Sequence, residues 1–423
     1  VGFTTIDDVS YYLDVDGVMQ VGWQIVGDRY YYFTADGAMQ RGWLNYNNQR
    51  YYLDERGAMQ TGWVLLKEDW YYFNESGIMQ TGFLSVDGEK YYLDTQGRMQ
   101  TGYQTLSGHR YYFKENGAMA VGFTNIGEKR YYFDENGYLS TGWREIDEKW
   151  YFMKNDGEVT TGWFSELGKN YYFLGDGQMV TGWYQVGENW YYFNEKGVRH
   201  VGWLQLKEKW YYLSLDGVMQ TGFVKIAQDY YYLGESGAIK TGWVNLSDGR
   251  YYFNESGRRQ SGWITLGEKR YYLDADGRMK SGWTALGEQM YYFDLNGEMQ
   301  IGWLQADGKR YYLGTDGVRQ TGWIRLDESW YLLDADGVMQ TGWVQNTEGQ
   351  RQYLSADGVR QSGWVQDAGY WYYMDENGIM QTGWVKVALD WYYLDADGKM
   401  IAGTTREIEG VSYRFAEDGH WIQ

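Results

Sequence analysis

Residues 61–80 read TGWVLLKEDWYYFNESGIMQ, and residues 181–200 read TGWYQVGENWYYFNEKGVRH in the same register. Residues 321–340, TGWIRLDESWYLLDADGVMQ, return to the pattern once more. The period of about twenty residues holds without a slip from Val1 to about Gln345. Inside one copy, Trp63 to Leu66 reads as a first strand, Lys67 to Asp69 as a turn, and Trp70 to Phe73 as a second strand. Asn74-Glu75-Ser76-Gly77 then makes the loop to the next unit. Aromatic and β-branched runs punctuated by Gly, Asn and Asp are strand and turn signals. Two glycines in every twenty residues would interrupt a helix repeatedly. A period of this length means stacked units, each too small to bury its own apolar face.

Strand alternation sorts the side chains. If Leu66 pairs with Tyr71 across the turn, Val64 and Leu66 share a face with Tyr71 and Phe73. Other copies keep that face apolar, as in Val26 with Tyr31 and Phe33, or Leu206 with Tyr211 and Leu213. This is the expected buried side, closed by Met79, Met219, Met279 and their equivalents. The opposite face carries Trp63, Trp70 and Tyr72, and must either stack on the next hairpin or meet a ligand. A lone hairpin is marginal in water. About twenty-one of them in succession predict an all-β, elongated solenoid of stacked hairpins with local, nearest-neighbour folding. Residues 1–402 are expected to form about twenty such units, and 403–423 a capping repeat in which Thr404 replaces the usual Trp. Between Asn346 and Tyr353 the register shifts by one, with Gln352 standing in for the first Tyr, which reads as a loop insertion.

Composition narrows the function. There is no cysteine, which excludes disulfides and thiolate metal sites. There is no proline, as befits a chain whose amides are nearly all needed in ladders or tight turns. A net charge of −19 repels nucleic acid and anionic membranes. No apolar stretch approaches the roughly 18 residues of a membrane span. The chain opens on Val1 in mid-pattern and reads as an excised or processed module. The Asp-x-Asp-Gly loops (Asp274/Asp276, Asp334/Asp336, Asp395/Asp397) lack the ladder of a calcium loop and read as turns. His109, His200 and His420 stand in unrelated repeats without a partner at metal or triad spacing. No metal or cofactor is expected. The carboxylates fall in turns and no unique segment exists to build a cleft, so the expectation is a non-catalytic protein.

The pattern resembles the cell-wall-binding repeat superfamily, which includes choline-binding repeats, glucan-binding repeats and clostridial toxin repeats. The matching text includes Thr141-Gly142-Trp143, the WYYF of Trp190 to Phe193, and the SGIMQTGF of Ser76 to Phe83. The resemblance covers essentially the whole chain. In the choline-binding branch, it implies a ligand between consecutive hairpins, held by two Trp of one repeat, a Tyr of the next and a nearby Met. A quaternary ammonium cannot donate a hydrogen bond, so ring quadrupoles and apolar contact are its natural partners. Seven repeats carry both tryptophans: Trp63/Trp70, Trp143/Trp150, Trp183/Trp190, Trp203/Trp210, Trp323/Trp330, Trp364/Trp371 and Trp384/Trp391. The third ring is expected from Tyr92, Tyr172, Tyr212, Tyr232, Tyr353, Tyr393 and Tyr413 respectively. Many other repeats hold a cation at the second Trp position: Arg50, Lys90, Arg110, Arg130, Arg250, Arg270 and Arg310. Such a side chain can lie over the neighbouring rings and fill the cage from within, making those repeats spacers.

Each ring of a cage contributes on the order of 0.5–2 kcal/mol. Three rings therefore reach only a roughly millimolar dissociation constant. Several weak sites facing a polymer with repeated ligands gain through effective concentration. This points to a choline-bearing teichoic acid or a glucan polymer as partner, at the surface of a bacterium or in a secreted protein. Choline is the favoured headgroup. Flat Tyr and Trp faces suit sugar rings as well, so a rod that binds glucan or host glycan is the alternative, and the even spacing also fits a structural or designed scaffold without ligand.

Overall fold

The computed structural model describes residues 1–422. Among them there is no helix: short antiparallel hairpins recur about every twenty residues, each a two-stranded sheet. The last sheet alone has three strands, Thr405–Ile408, Val411–Phe415 and Trp421–Ile422. The hairpins gather in two compact units. One comprises Val1–Leu204 with Tyr212–Met219, the other Gln205–Tyr211 with the chain from Gln220 onward. The same local construction serves both.

In the repeat that opened the sequence reading, strand Gly62–Leu66 pairs with strand Asp69–Phe73. The ladder runs from Gly62 opposite Phe73 to Leu66 opposite Asp69, leaving Lys67-Glu68 as a two-residue turn. The expected pairing of Leu66 with Tyr71 is therefore corrected by two positions. The cause is turn geometry: two-residue loops with positive φ match the right-handed twist of the flanking strands. Lys67 adopts φ +59°, and in the first hairpin both Asp7 (+49°) and Asp8 (+62°) do. A shift of two positions leaves every side chain on its expected face. Val64 still lies opposite Tyr71 on one face, and Trp63 opposite Tyr72 on the other.

The core is the third residue of each aromatic triplet. Phe33, Leu53, Phe73, Leu93, Phe113 and Phe133 are all fully buried. Phe73 bridges to Met79 of the segment that follows its loop, and the Gln80 N–H donates to the Tyr72 carbonyl at 2.8 Å. Met79 donates its own N–H backward, to the carbonyl of Arg50 in the preceding hairpin, also at 2.8 Å. Each Met-Gln segment thus clasps two successive hairpins. The loop between them is an Asx turn: Asn74 Oδ1 accepts from the N–H groups of Ser76 and Ile78 at 3.0 and 2.9 Å. The Asp-x-Asp-Gly loops are built alike, Asp274 Oδ1 accepting from Asp276 and Arg278. The loop glycine has a separate duty. A Cβ on Gly77 would fall 2.3 Å from the sulfur of Met59, so this position admits the methionine of the preceding repeat only while it has no side chain.

The insertion lies where expected. Gln345 pairs with Arg351, so residues 346–350 form a five-residue loop, held by Asn346 Oδ1 accepting from Glu348 and Gln350.

Candidate functional site

Within each unit, successive hairpins meet front to back, so the Trp face of one lies against the core face of the next. Trp63 lies 5.2 Å from Tyr72 of its own hairpin and 4.9 Å from Tyr91 of the following one, both edge-on. Trp43 treats Tyr52 and Tyr71 in the same way, at 5.4 and 5.1 Å. Such pairs contribute about 0.5–1.5 kcal/mol each beyond their burial. The ring of the next repeat that reaches a given Trp is therefore the first Tyr of its triplet.

That placement corrects the expected third rings. Tyr92, Tyr172, Tyr212, Tyr232, Tyr353 and Tyr393 each lie beside the Gly-aromatic residue of their own hairpin. The partners are Phe83, Trp163, Trp203, Phe223, Trp343 and Trp384, at 5.1–5.2 Å. The physical reason is the period of two: adjacent tyrosines of one strand face opposite ways. Tyr413 alone is where it was expected, 4.9 Å from Trp384. The one extra residue upstream of the last hairpin makes it the equivalent of a first Tyr.

At Trp143 and Trp150 the two indoles lie 6.4 Å apart at 68°, and Tyr171 stands 5.0 Å from Trp143. With Met179 and the loop residues Glu195 and Lys196 they line an open cavity of about 250 Å³. Three repeats contribute: the indoles from one, Tyr171 and Met179 from the next, the loop from the third. The Met179 N–H donates to the Trp150 carbonyl at 2.8 Å, which fixes the thioether beside the rings. The Trp143 indole N–H donates to Glu166 at 2.8 Å, locking its orientation. Burial, with the Glu166 charge second, raises the Tyr171 pKa, so the phenol stays neutral at physiological pH.

The same construction recurs at Trp364 and Trp371, 6.4 Å apart. There Tyr392, Met400, Glu417 and Asp418 complete a cavity of about 290 Å³. At Trp384 and Trp391, 6.5 Å apart, the cavity of about 330 Å³ is closed by Tyr413 and Trp421. Trp421, read from the sequence only as part of a cap, takes the place that Met179 and Met400 hold elsewhere. Sequence reasoning also missed a notch of about 340 Å³ lined by Trp23, Tyr30, Tyr51 and Met59, with Glu75 and Ser76. The signal is present in the sequence, since Tyr30 is an aromatic at the second Trp position. The second ring stays accessible in six of the seven Trp pairs: Trp70, Trp150, Trp190, Trp210, Trp371 and Trp391 are each about two-fifths exposed.

Trp323 and Trp330 are the exception. Their indoles converge at 6.5 Å, but Arg360 stands at the methionine position, with its guanidinium 5.8 and 5.5 Å from the two rings. The third-ring position is Gln352, whose amide donates to the Asn377 carbonyl. This notch already holds a cation of its own. Burial depresses the Arg360 pKa, the signature of a guanidinium tucked among apolar rings.

The expected self-filling is observed at the six arginines of the spacer repeats; among the described residues it is not seen for Lys90. Arg50 lies 4.2 Å over Trp43, Arg130 4.1 Å over Phe123, and Arg250, Arg270 and Arg310 each 4.5 Å over Trp243, Trp263 and Trp303. Arg110 lies 4.7 Å over Tyr103. Arg351, one residue further along because of the insertion, does the same at 4.3 Å over Trp343.

The model of the choline-binding repeat family matches residues 1–41, 21–61, 60–99, 80–122, 120–164, 140–181, 180–219, 240–281, 320–359 and 361–405. A second model, for a cell wall binding repeat, matches 221–239 and 301–318. No curated protein matches the chain. Among solved structures, choline binding protein F from Streptococcus pneumoniae is 29% identical over 71% of this chain and 98% of its own, with a TM-score of 0.37. CbpJ from Streptococcus pneumoniae TIGR4 is also 29% identical, over 72% of this chain and all of its own, with a TM-score of 0.28. The choline-binding domain of CbpL from Streptococcus pneumoniae is 26% identical over 48% of this chain and 98% of its own, with a TM-score of 0.29. With family matches spanning well over half of its residues, the chain belongs to the choline-binding repeat family.

Proposed function

We propose that this chain is a non-catalytic attachment module of a secreted or surface-exposed protein. It holds a bacterial cell-surface polymer by receiving its choline headgroups in the notches between hairpins. The observation that carries this reading is the Trp143–Trp150–Tyr171–Met179 notch, open to solvent and walled by ring faces and a thioether. Its volume of about 250 Å³ lies below the usual range of small-molecule sites, roughly 300–1,000 Å³. The other notches, of about 290, 330 and 340 Å³, lie near the bottom of that range, a size in keeping with a compact headgroup. The arginines over Trp43, Trp243, Trp263 and Trp303 support it further, because equivalent rings elsewhere in the chain accept a cation. Membership of the choline-binding repeat family agrees.

Single notches of this kind bind at roughly millimolar strength, so attachment depends on several acting together along a polymer. Titration calorimetry with choline, alongside isomaltose-type oligosaccharides, tests the reading. Choline heat that diminishes in Trp150→Ala and survives in Arg50→Ala is the expected result. Heat with the saccharide alone would replace choline by a glucan, and silence with both would leave a scaffold without ligand.

A further inference from the structure

Three notches also share a wall that is not aromatic. Glu75, Glu195 and Glu417 line the cavities at Trp23/Tyr30, Trp143/Trp150 and Trp364/Trp371, in each case from a loop two repeats downstream. The spacing from the second ring to this loop position is 45 residues (195 − 150), or 46 where the chain carries an extra residue (417 − 371).

Reading that spacing through the chain separates two populations. The second-position aromatics Tyr30, Trp70, Trp150, Trp190, Trp210, Trp330 and Trp371 are followed by Glu75, Glu115, Glu195, Glu235, Glu255, Glu376 and Glu417. Tyr230, followed by Ala275, is the one aromatic that breaks the rule, and Arg259 already covers its ring at 4.4 Å. The second-position arginines behave oppositely. Arg50, Arg110, Arg130, Arg250, Arg270, Arg310 and Arg351 are followed by Thr95, Asn155, Gly175, Leu295, Thr315, Ala356 and Ala396. Only Ser10 with Glu55 and Lys90 with Glu135 place a glutamate behind a non-aromatic residue. The next loop position shows no such sorting, being Ser76, Asn116, Lys196, Ser236, Ser256, Asn377 and Asp418 behind the same aromatics.

A glutamate kept for an ion pair within the chain would accompany the arginines. It accompanies ring pairs instead, lining three of them directly, and the Trp323/Trp330 pair keeps its glutamate even though Arg360 fills that notch. Where arginine fills the notch, its tip reaches the same loop: Arg130 Nη1 donates to the Asp176 carbonyl at 2.7 Å, and Arg250 Nη1 approaches that of Asn296 at 3.5 Å. The guanidinium therefore spans from the ring to the loop and marks where a bound cation would lie.

We infer that the loop glutamate is a specificity-determining element of the notches it lines, a carboxylate that selects ligands bearing a positive charge over neutral ligands of the same shape. This rests on the choline reading above and adds a charge requirement to it. The carboxylates are exposed, so the expected effect is modest: a two- to fivefold change in affinity, about what an exposed ion pair supplies. It should also be screened by salt.

The test compares choline with its uncharged carbon isostere, 3,3-dimethylbutan-1-ol, by calorimetry. The proteins are the full chain and a variant with all seven loop glutamates changed to Gln. Choline affinity is expected to fall two- to fivefold in the variant and to lose its dependence on sodium chloride, with the isostere unchanged. Unaltered choline affinity, or an equal loss for both ligands, overturns the inference and leaves the proposed function standing. Absence of choline binding in the unmodified chain overturns the function itself, before any glutamate is touched. Should the variant not fold, the choline-to-isostere affinity ratio of the unmodified chain decides: it is expected to fall with salt, and a flat ratio refutes the role.

Discussion

Trp143 and Tyr171 lie 5.0 Å apart at 60°, the indole reaching forward from one hairpin and the phenol back from the next. The contact joins the face of one hairpin to the opposite face of its successor. Neither Tyr172, one residue on, nor any residue of the Trp143 strand could make it.

Trp150 is 41% exposed and sits at the rim of its notch. Trp150→Ala should remove one ligand site at a stability cost below about 1 kcal/mol, as for other surface changes. Tyr171→Ala should remove the same site while cutting into packing, at about 3–5 kcal/mol locally. Calorimetric stoichiometry, with amide exchange of the neighbouring hairpins, separates the two. A Trp150→Ala protein with unchanged stoichiometry would contradict the notch.

At Trp323 and Trp330 the chain's own Arg360 occupies the space. Arg360→Met, combined with Gln352→Tyr, restores the residue types found at Trp143 and Trp364. The double variant is expected to bind one more choline than the parent, read as a rise in stoichiometry. An unchanged count would mean that the rings are unreachable even without the guanidinium.

Gly77 and Gly62 have similar backbones, φ +74° and +70°, but different surroundings. A Cβ at Gly62 would meet nothing within 4 Å, whereas one at Gly77 would run into the Met59 sulfur at 2.3 Å. Gly62→Ala should cost about 1–2 kcal/mol from the left-handed conformation alone. Gly77→Ala should cost more, because the methionine must leave its seat. Thermal melts of the two variants, and of Gly77→Ala combined with Met59→Ala, check this. The double change should recover part of the loss.

Burial raises the pKa of Tyr71, Tyr151, Tyr171, Tyr271 and Tyr392. In the unfolded chain a tyrosine ionises near pH 10. Above that pH the unfolded state sheds protons that the folded state retains, so stability falls as pH rises from about 10 through the folded values. Below pH 10 these groups contribute no slope. Melting temperature against pH should be flat for them through neutrality and drop on the alkaline side, less steeply in Tyr171→Phe. A decline already under way at pH 8 would count against buried neutral phenols.

Much of the fold was legible because alternation and turn chemistry act over a few residues. Trp63 and Trp70 share a face whatever the turn length, provided the slip is even, and Asn74 makes its turn with its own neighbours. The ring over each Trp was not legible in the same way. Choosing Tyr91 over Tyr92 requires knowing which face of the next hairpin is presented, a matter of contact between units rather than within one. Arg360 and Trp421 illustrate the same difficulty, since each meets a ring pair laid down 30 or more residues earlier.

The amino-acid order by itself determined the hairpins, their period, the buried triplet position and the candidate ring pairs. Each of these follows from side-chain periodicity and from the conformations that Gly, Asn and Asp tolerate in tight turns. Stacking decided which tyrosine completes a notch, that Arg360 fills one from inside, that Trp421 closes another, and that a glutamate two repeats on stands beside three of them. Three successive repeats must be assembled before these groups come within reach, and no rule acting within a single repeat specifies how the next one is set against it.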